Sequence, residues 1–158
     1  MKKIIAIISM LVTLVYLMAS ETLEQRRTML ADFNISEATI ADFESNLKVR
    51  GDSAFSGSSR DGRSMTAELA TDLYTATQSL RSELATLSAP NSDIELARDA
   101  YVKSLTNLQG KLNLFEVGAE GTISVLEALT AIERPAAIFR EESSSYQRSV
   151  LRSLWAAF

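Results

Sequence analysis

At 158 residues, the chain has room for one ordinary domain with an anchor and little more. Hydrophobic residues make up 46% and charged residues 23%, with six Gly and two Pro; that mix supports a buried core and excludes disorder, collagen-like repeats and low complexity. Cysteine and histidine are both absent, which removes thiolate nucleophiles, disulfide staples, CxxCH haem attachment, zinc fingers, HExxH metalloproteases and Ser-His-Asp triads.

Sixteen Lys and Arg face twenty Asp and Glu, a net charge of −4. Lys2 and Lys3 precede the apolar start, so 14 positive and 20 negative charges remain from residue 20 onward, a balance of −6. An acidic domain without a basic stripe does not suit phosphate backbones, and no nucleic-acid partner is expected. The acids are scattered, as on a surface that keeps a helical protein soluble.

After Met1-Lys2-Lys3, residues 4–19 carry no charge. Those sixteen residues cover about 24 Å as a helix, a little under the roughly 30 Å hydrocarbon slab. Ser20 and snorkelling lysines close most of the gap. A cleavable signal wants small residues at the last and third-last positions before the cut, but Leu17 or Met18 occupies the third-last place before Ala19-Ser20. No Gly or Pro follows to break the helix. The expectation is a single-pass anchor, or uncleaved signal, over residues 1–20. Because positive charges resist translocation, the N-terminus is placed in the cytoplasm. Residues 21–158 then face the periplasm or the exterior from the inner (plasma) membrane. A lipoprotein anchor needs a cysteine, and a pilin-type anchor needs a Gly before the apolar segment and an acid at its fifth position; neither is present. A chemoreceptor-like sensor shares an anchored bundle but carries a second spanning helix and a cytoplasmic signalling unit, which are not expected here.

Next, Asn34-Ile35-Ser36-Glu37 matches a capping box, which predicts a helix restart over 35–49 with Ile40, Phe43 and Leu47 on one face. The same residues match a glycosylation sequon, better explained as that cap. Residues 50–63 hold three of the six glycines and no periodicity, so a flexible loop is predicted there. Its Arg50-Gly51-Asp52 tripeptide is too common a match to carry weight.

The clearest signal follows. Leu69, Leu73, Ala76, Leu80, Leu84 and Leu87 form one helical stripe; Ile94, Ala97, Tyr101, Leu105, Leu108, Leu112 and Phe115 form the next. Ser64 is expected to cap the first and Ser92 the second, with Pro90 ending the helix between them. So short a turn forces antiparallel packing. Gly118-Ala119-Glu120-Gly121 makes another turn, after which Val125, Leu129, Ile132, Ala136 and Phe139 continue a stripe resumed at Tyr146, Val150, Leu154 and Phe158. Pro135 predicts a kink or restart near Glu133-Arg134. The expected fold is all-α: a single transmembrane helix, then an up-down antiparallel bundle of three to four helices. On lengths, the last helix (122–158) is expected to be the longest and to overhang the membrane end by ~10–15 Å.

That end carries the sole Trp, with Arg148 and Arg152 and no acid after Glu142. Arg148, Arg152, Trp155 and Phe158 are the candidate contact residues, for lipid, for a partner chain or for closing the bundle. No catalytic, cofactor or metal site is expected. Di-iron carboxylate bundles need Glu-x-x-His pairs, and Gly51, Gly57 and Gly62 do not form a phosphate loop. Asp93, Glu95 and Asp99 sit beside Arg98 and Lys103, where pairing with a basic neighbour is the simpler role. The functional expectation is therefore a non-enzymatic, membrane-anchored interaction or structural subunit of a cell-envelope complex, contacting lipid, other envelope proteins or further copies of itself. The alternative is an extracytoplasmic small-ligand module acting through a partner protein.

Overall fold

The computed structural model describes residues 2–55 and 65–156, with side chains from residue 22 onward. All regular structure among them is helical: α1 (Lys2–Phe55), α2 (Ala67–Thr86), α3 (Ser92–Glu116), α4 (Thr122–Thr130) and α5 (Glu133–Trp155). α4 and α5 act as one interrupted rod. α1 lies along α2, α2 along α3, and α3 along both α4 and α5, while α1 touches α5 more sparingly. As α1 is followed from Phe33 through Glu44 to Gly51, its partners fall from Tyr146 through Arg140 to Leu129, so these two rods run antiparallel. Arg50 of α1 reaches Asp72 of α2, and Arg98 of α3 reaches the Leu87 carbonyl at the end of α2. The result is an up-down-up-down four-helix bundle.

The core stripes fall where the periodicity puts them. Leu73, Ala76, Leu80, Leu84 and Leu87 are buried on the α2 side, and Ile94, Ala97, Tyr101, Leu105, Leu108 and Leu112 on α3, with Leu69 and Phe115 half-buried at the ends. Val125, Ile132, Ala136 and Phe139 complete the core from the fourth rod. Tyr146, Val150 and Leu154 are only half-buried, because the bundle thins towards the end of α5.

Local signals explain the punctuation. Thr66 accepts from the Leu69 amide at 3.3 Å and Asn91 from the Ile94 amide at 2.9 Å, each leaving its helix start capped. These caps correct the expected ones: Ser92 is the first helical residue rather than the cap, and α2 starts beyond Ser64, which lies outside the described residues. Gly118, at φ 74°, closes α3: its amide donates to the Phe115 carbonyl and the Ala119 amide to the Leu114 carbonyl. This left-handed cap needs a glycine. Pro135 has no amide to give the carbonyl four residues back, that of Ala131, and the rod breaks at Ala131-Ile132. The expected restart is therefore present.

Three expectations are corrected. α1 does not restart at Asn34; it runs unbroken through the capping-box motif, because burial of Leu30, Phe33 and Ile40 on one face favours continuing the helix. The helix also persists to Phe55, so residues 50–55 of the expected loop are helical; residues 56–64 lie outside the described set. The longest element is α1, at 54 residues, rather than the last rod. The expected anchor at residues 1–20 lies where side chains are not described. Among the described residues, no helix is long and apolar enough to cross a membrane.

Leu105 is fully buried, whereas Leu96 on the outer face of the same helix is 70% exposed. Leu105→Ala is expected to lower unfolding free energy by about 2–5 kcal/mol and Leu96→Ala by no more than about 0.5 kcal/mol, read by urea denaturation. Equal effects would place the core elsewhere.

Candidate functional site

One of the two candidate sites, a groove, arises from a feature of α1; the other is the end of α5. Leu30, Phe33, Glu37, Ile40, Glu44, Leu47, Gly51 and Ala54 alternate steps of three and four, which is the spacing of a helix seam. One row, Phe33, Ile40, Leu47 and Ala54, is apolar and buried. The other row, Leu30, Glu37, Glu44 and Gly51, carries two carboxylates and a glycine where the fourth rod passes. Glu37, Glu44 and Gly51 each meet that rod. Gln147 of α5 donates to Glu37 and, at 3.0 Å, to Asn34. Arg140 approaches Glu44, and a methyl group at Gly51 would lie 2.8 Å from Leu129 Cδ2. Asn34 and Glu37 therefore bridge helices rather than cap one.

Between these steps, α1 and the broken fourth rod leave an open groove of about 490 Å³. Ala41, Leu47, Leu129, Ile132 and Ala136 supply its apolar walls; Glu44, Ser45, Lys48, Asp52, Tyr101, Glu133 and Arg140 supply its polar groups. Glu44 is the deepest acid: its side chain is only 18% exposed, and its Oε1 has no hydrogen-bond partner. Arg140 contributes little relief. Its Nε lies 3.7 Å from Glu44 Oε2 and instead donates to the Ala136 carbonyl at 3.2 Å. From behind, the Tyr101 hydroxyl faces the carboxylate.

Burial dominates here and raises the Glu44 pKa above the usual 4.5; Tyr101 and Arg140 pull it down, and Glu37 adds to the rise. Burial and the neighbouring Glu44 raise the Tyr101 pKa as well, so the phenol keeps its proton and remains a donor. By contrast, the Lys111 ammonium at 2.7 Å and the Ser124 hydroxyl hold Glu120 below its ordinary value, pinning the turn between α3 and α4.

The sequence-predicted contact residues lie at the opposite end of α5. Tyr101 packs against Phe139, and nine residues outward from this pair lie Ser92, the first residue of α3, and Arg148. From Arg148, α5 therefore runs past the start of α3 for about 11 Å, close to the overhang expected from the lengths. Arg148 and Arg152 are exposed there, Leu151 is exposed, and Trp155 is 78% exposed. In this chain Trp155 does not close the bundle. Phe158 lies outside the described residues. The structure thus places Arg148, Arg152 and Trp155 on one projecting segment.

Sequence reasoning missed the groove. Tyr101 was read as apolar stripe, and Glu44 interrupts the stripe Ile40-Phe43-Leu47 without signalling burial. The available signal was the strict three-four spacing that puts Glu37 and Glu44 into the seam. Among the described residues, no three acidic side chains converge as a metal site. Arg98 spans Glu95, Asp99 and the Leu87 carbonyl, a structural role. Comparison with known protein families, with characterised proteins and with solved structures finds no match for this chain.

Because the folded state binds a proton at Glu44 more tightly than the unfolded state, the carboxyl's contribution falls as pH rises from 4.5 through its folded value. Glu44→Gln removes that penalty. The stability advantage of E44Q over the parent is expected to grow with pH across this window, measured by denaturation at several pH values. A constant difference would show that Glu44 is not held in a raised state.

Proposed function

We propose that this protein is a non-enzymatic helical interaction subunit of a cell-envelope complex, held at the inner membrane by residues 1–20 with the bundle outside the cytoplasm. The observation that carries this reading is the projecting end of α5. A tryptophan 78% exposed, a leucine one turn earlier on the same face and two flanking arginines form a segment with no core role in this chain. Trp and Arg beside an apolar face suit a headgroup layer or the membrane-proximal surface of a partner chain. The anchor supports this placement: the last rod descends antiparallel to α1, so the exposed Trp155 lies towards the end from which α1 enters. An interaction role also agrees with a chain whose reactive side chains exclude most catalytic arrangements.

A second reading, a small-ligand module that acts through a partner, has one observation in its favour: the open groove of about 490 Å³ between α1 and the fourth rod.

The double variant Leu151→Ser/Trp155→Ser is expected to weaken membrane flotation or oligomeric mass in mild detergent. Its unfolding free energy should stay within about 0.5 kcal/mol of the parent, the usual range for exposed sites. Unchanged flotation and mass, or a lost thermal transition, would overturn the assignment of this segment as the contact surface.

A further inference from the structure

α1 is one unbroken helix from Lys2 to Phe55, so the apolar run at residues 4–19 and the bundle share a single rod, and residue count fixes their separation. The Phe33 and Tyr146 rings meet edge-on with centroids 5.3 Å apart, which sets the register of α1 against the descending α5. Nine residues further along α5 is Trp155, and nine residues back along α1 is Glu24, so the two stand at about one level. Glu24 is five residues beyond Ala19, which puts the Trp155 backbone about 7.5 Å outside the apolar run. A headgroup layer is roughly 5–7 Å deep on each side of the hydrocarbon. Arg148, Leu151, Arg152 and Trp155, at helical spacing, share one exposed face there. Charge is sorted along the same axis. Residues 34–147 carry ten bases and seventeen acids, whereas residues 20–33 and 148–158 together carry four bases and three acids. Of those four bases, Arg27 lies 3.8 Å from Glu24, and Arg26, Arg148 and Arg152 enter no ion pair among the described residues.

We propose that the end of α5 seats in the headgroup layer of an anionic phospholipid leaflet, as a second membrane contact beside the α1 anchor. The inference rests on the reading of residues 1–20 as that anchor, and it commits the α5 segment to lipid rather than to a partner chain. Trp155 stands at the level where indoles collect, with an apolar ring and a ring N–H that both find partners among headgroups. Arg152 is three residues above it, about 4.5 Å, and its guanidinium has the two-pronged geometry that suits a phosphate. Arg26 and Arg148 stand higher and act through the surface field, which decays over roughly 8–10 Å. The acids at the start of α3, Asp93 and Glu95, begin beyond Ser92 and so lie above the projecting segment. An anionic surface attracts the base of the bundle and repels its acidic body. Both forces hold the bundle upright, and a contact beside the anchor stops it from swivelling about α1.

Trp155 is the only tryptophan, so fluorescence of the intact chain reads this one position. The test reconstitutes the chain into vesicles of phosphatidylcholine alone, or with about one third phosphatidylglycerol, and quenches Trp155 with lipid brominated high on its acyl chains and with aqueous acrylamide. Quenching by the brominated lipid is expected, and about twofold or more stronger in the anionic vesicles. Arg148→Gln/Arg152→Gln should lower the anionic value to the neutral one. Arg134→Gln, about 30 Å further up the same helix, should change nothing. If the chain floats with vesicles while Trp155 stays open to acrylamide and unquenched by lipid, the lipid contact is overturned and the anchor stands. Trp155 shielded from both quenchers would overturn it in favour of a partner chain or a second copy. Equal lipid quenching in the two membranes would overturn the choice of anionic lipid. A chain that floats with neither kind of vesicle would overturn the anchor and this inference together.

Discussion

The structure depends on how one row of α1 meets the fourth rod. In an ordinary seam, both alternating rows of a helix are apolar, and the partner helix beds into them. Here one row is apolar and the other reads Leu30, Glu37, Glu44, Gly51. Glu37 is bridged to α5 by Gln147, Glu44 stands where an apolar residue would bed the fourth rod onto α1, and Gly51 lets the backbone come close to Leu129 one step further on. The bundle is therefore tight on three sides, α1 with α2, α2 with α3 and α3 with the fourth rod, and loose on the remaining one. A groove midway along the loose side follows; the projection of α5 past the start of α3 follows from the helix lengths instead.

The fold class was legible because apolar spacing is the strongest signal in a helical sequence. Leu73 to Leu87 and Ile94 to Leu112 stay buried with few exceptions, and short connections left no choice but antiparallel neighbours. Pro135 and Gly118 worked as punctuation for reasons that do not depend on tertiary context: one lacks an amide, and the other tolerates a left-handed turn.

Boundaries and the groove were less legible, for a common reason. Asn34-Ile35-Ser36-Glu37 is a good cap in isolation, but a cap is worth about 1 kcal/mol, less than the burial of Leu30, Phe33 and Ile40 along one unbroken helix. Arg50 to Phe55 looked like a loop because Gly51 and the serines have poor helix propensity; packing of Gly51 on Leu129 and burial of Ala54 override it. Glu44 defeats a sequence reading because an acid among apolar residues ordinarily marks the solvent face. Only the three-four register, with Tyr101 and Arg140 brought in from distant helices, puts it inside. Arg148, Arg152 and Trp155 were singled out from composition and helix lengths, and the structure leaves them exposed at the end of α5.

The account turns on the claim that a buried carboxylate, rather than poor apolar fit, holds the loose side open. The most direct measurement is the unfolding free energy of the double variant Glu44→Leu/Tyr101→Phe, which makes the seam apolar and removes the facing hydroxyl. Replacing buried charge with matched apolar volume is often neutral or stabilising, and here a gain of about 1–4 kcal/mol is predicted. A clear loss of stability would contradict the account, because it would mean that the polar layer itself holds α1 to the fourth rod.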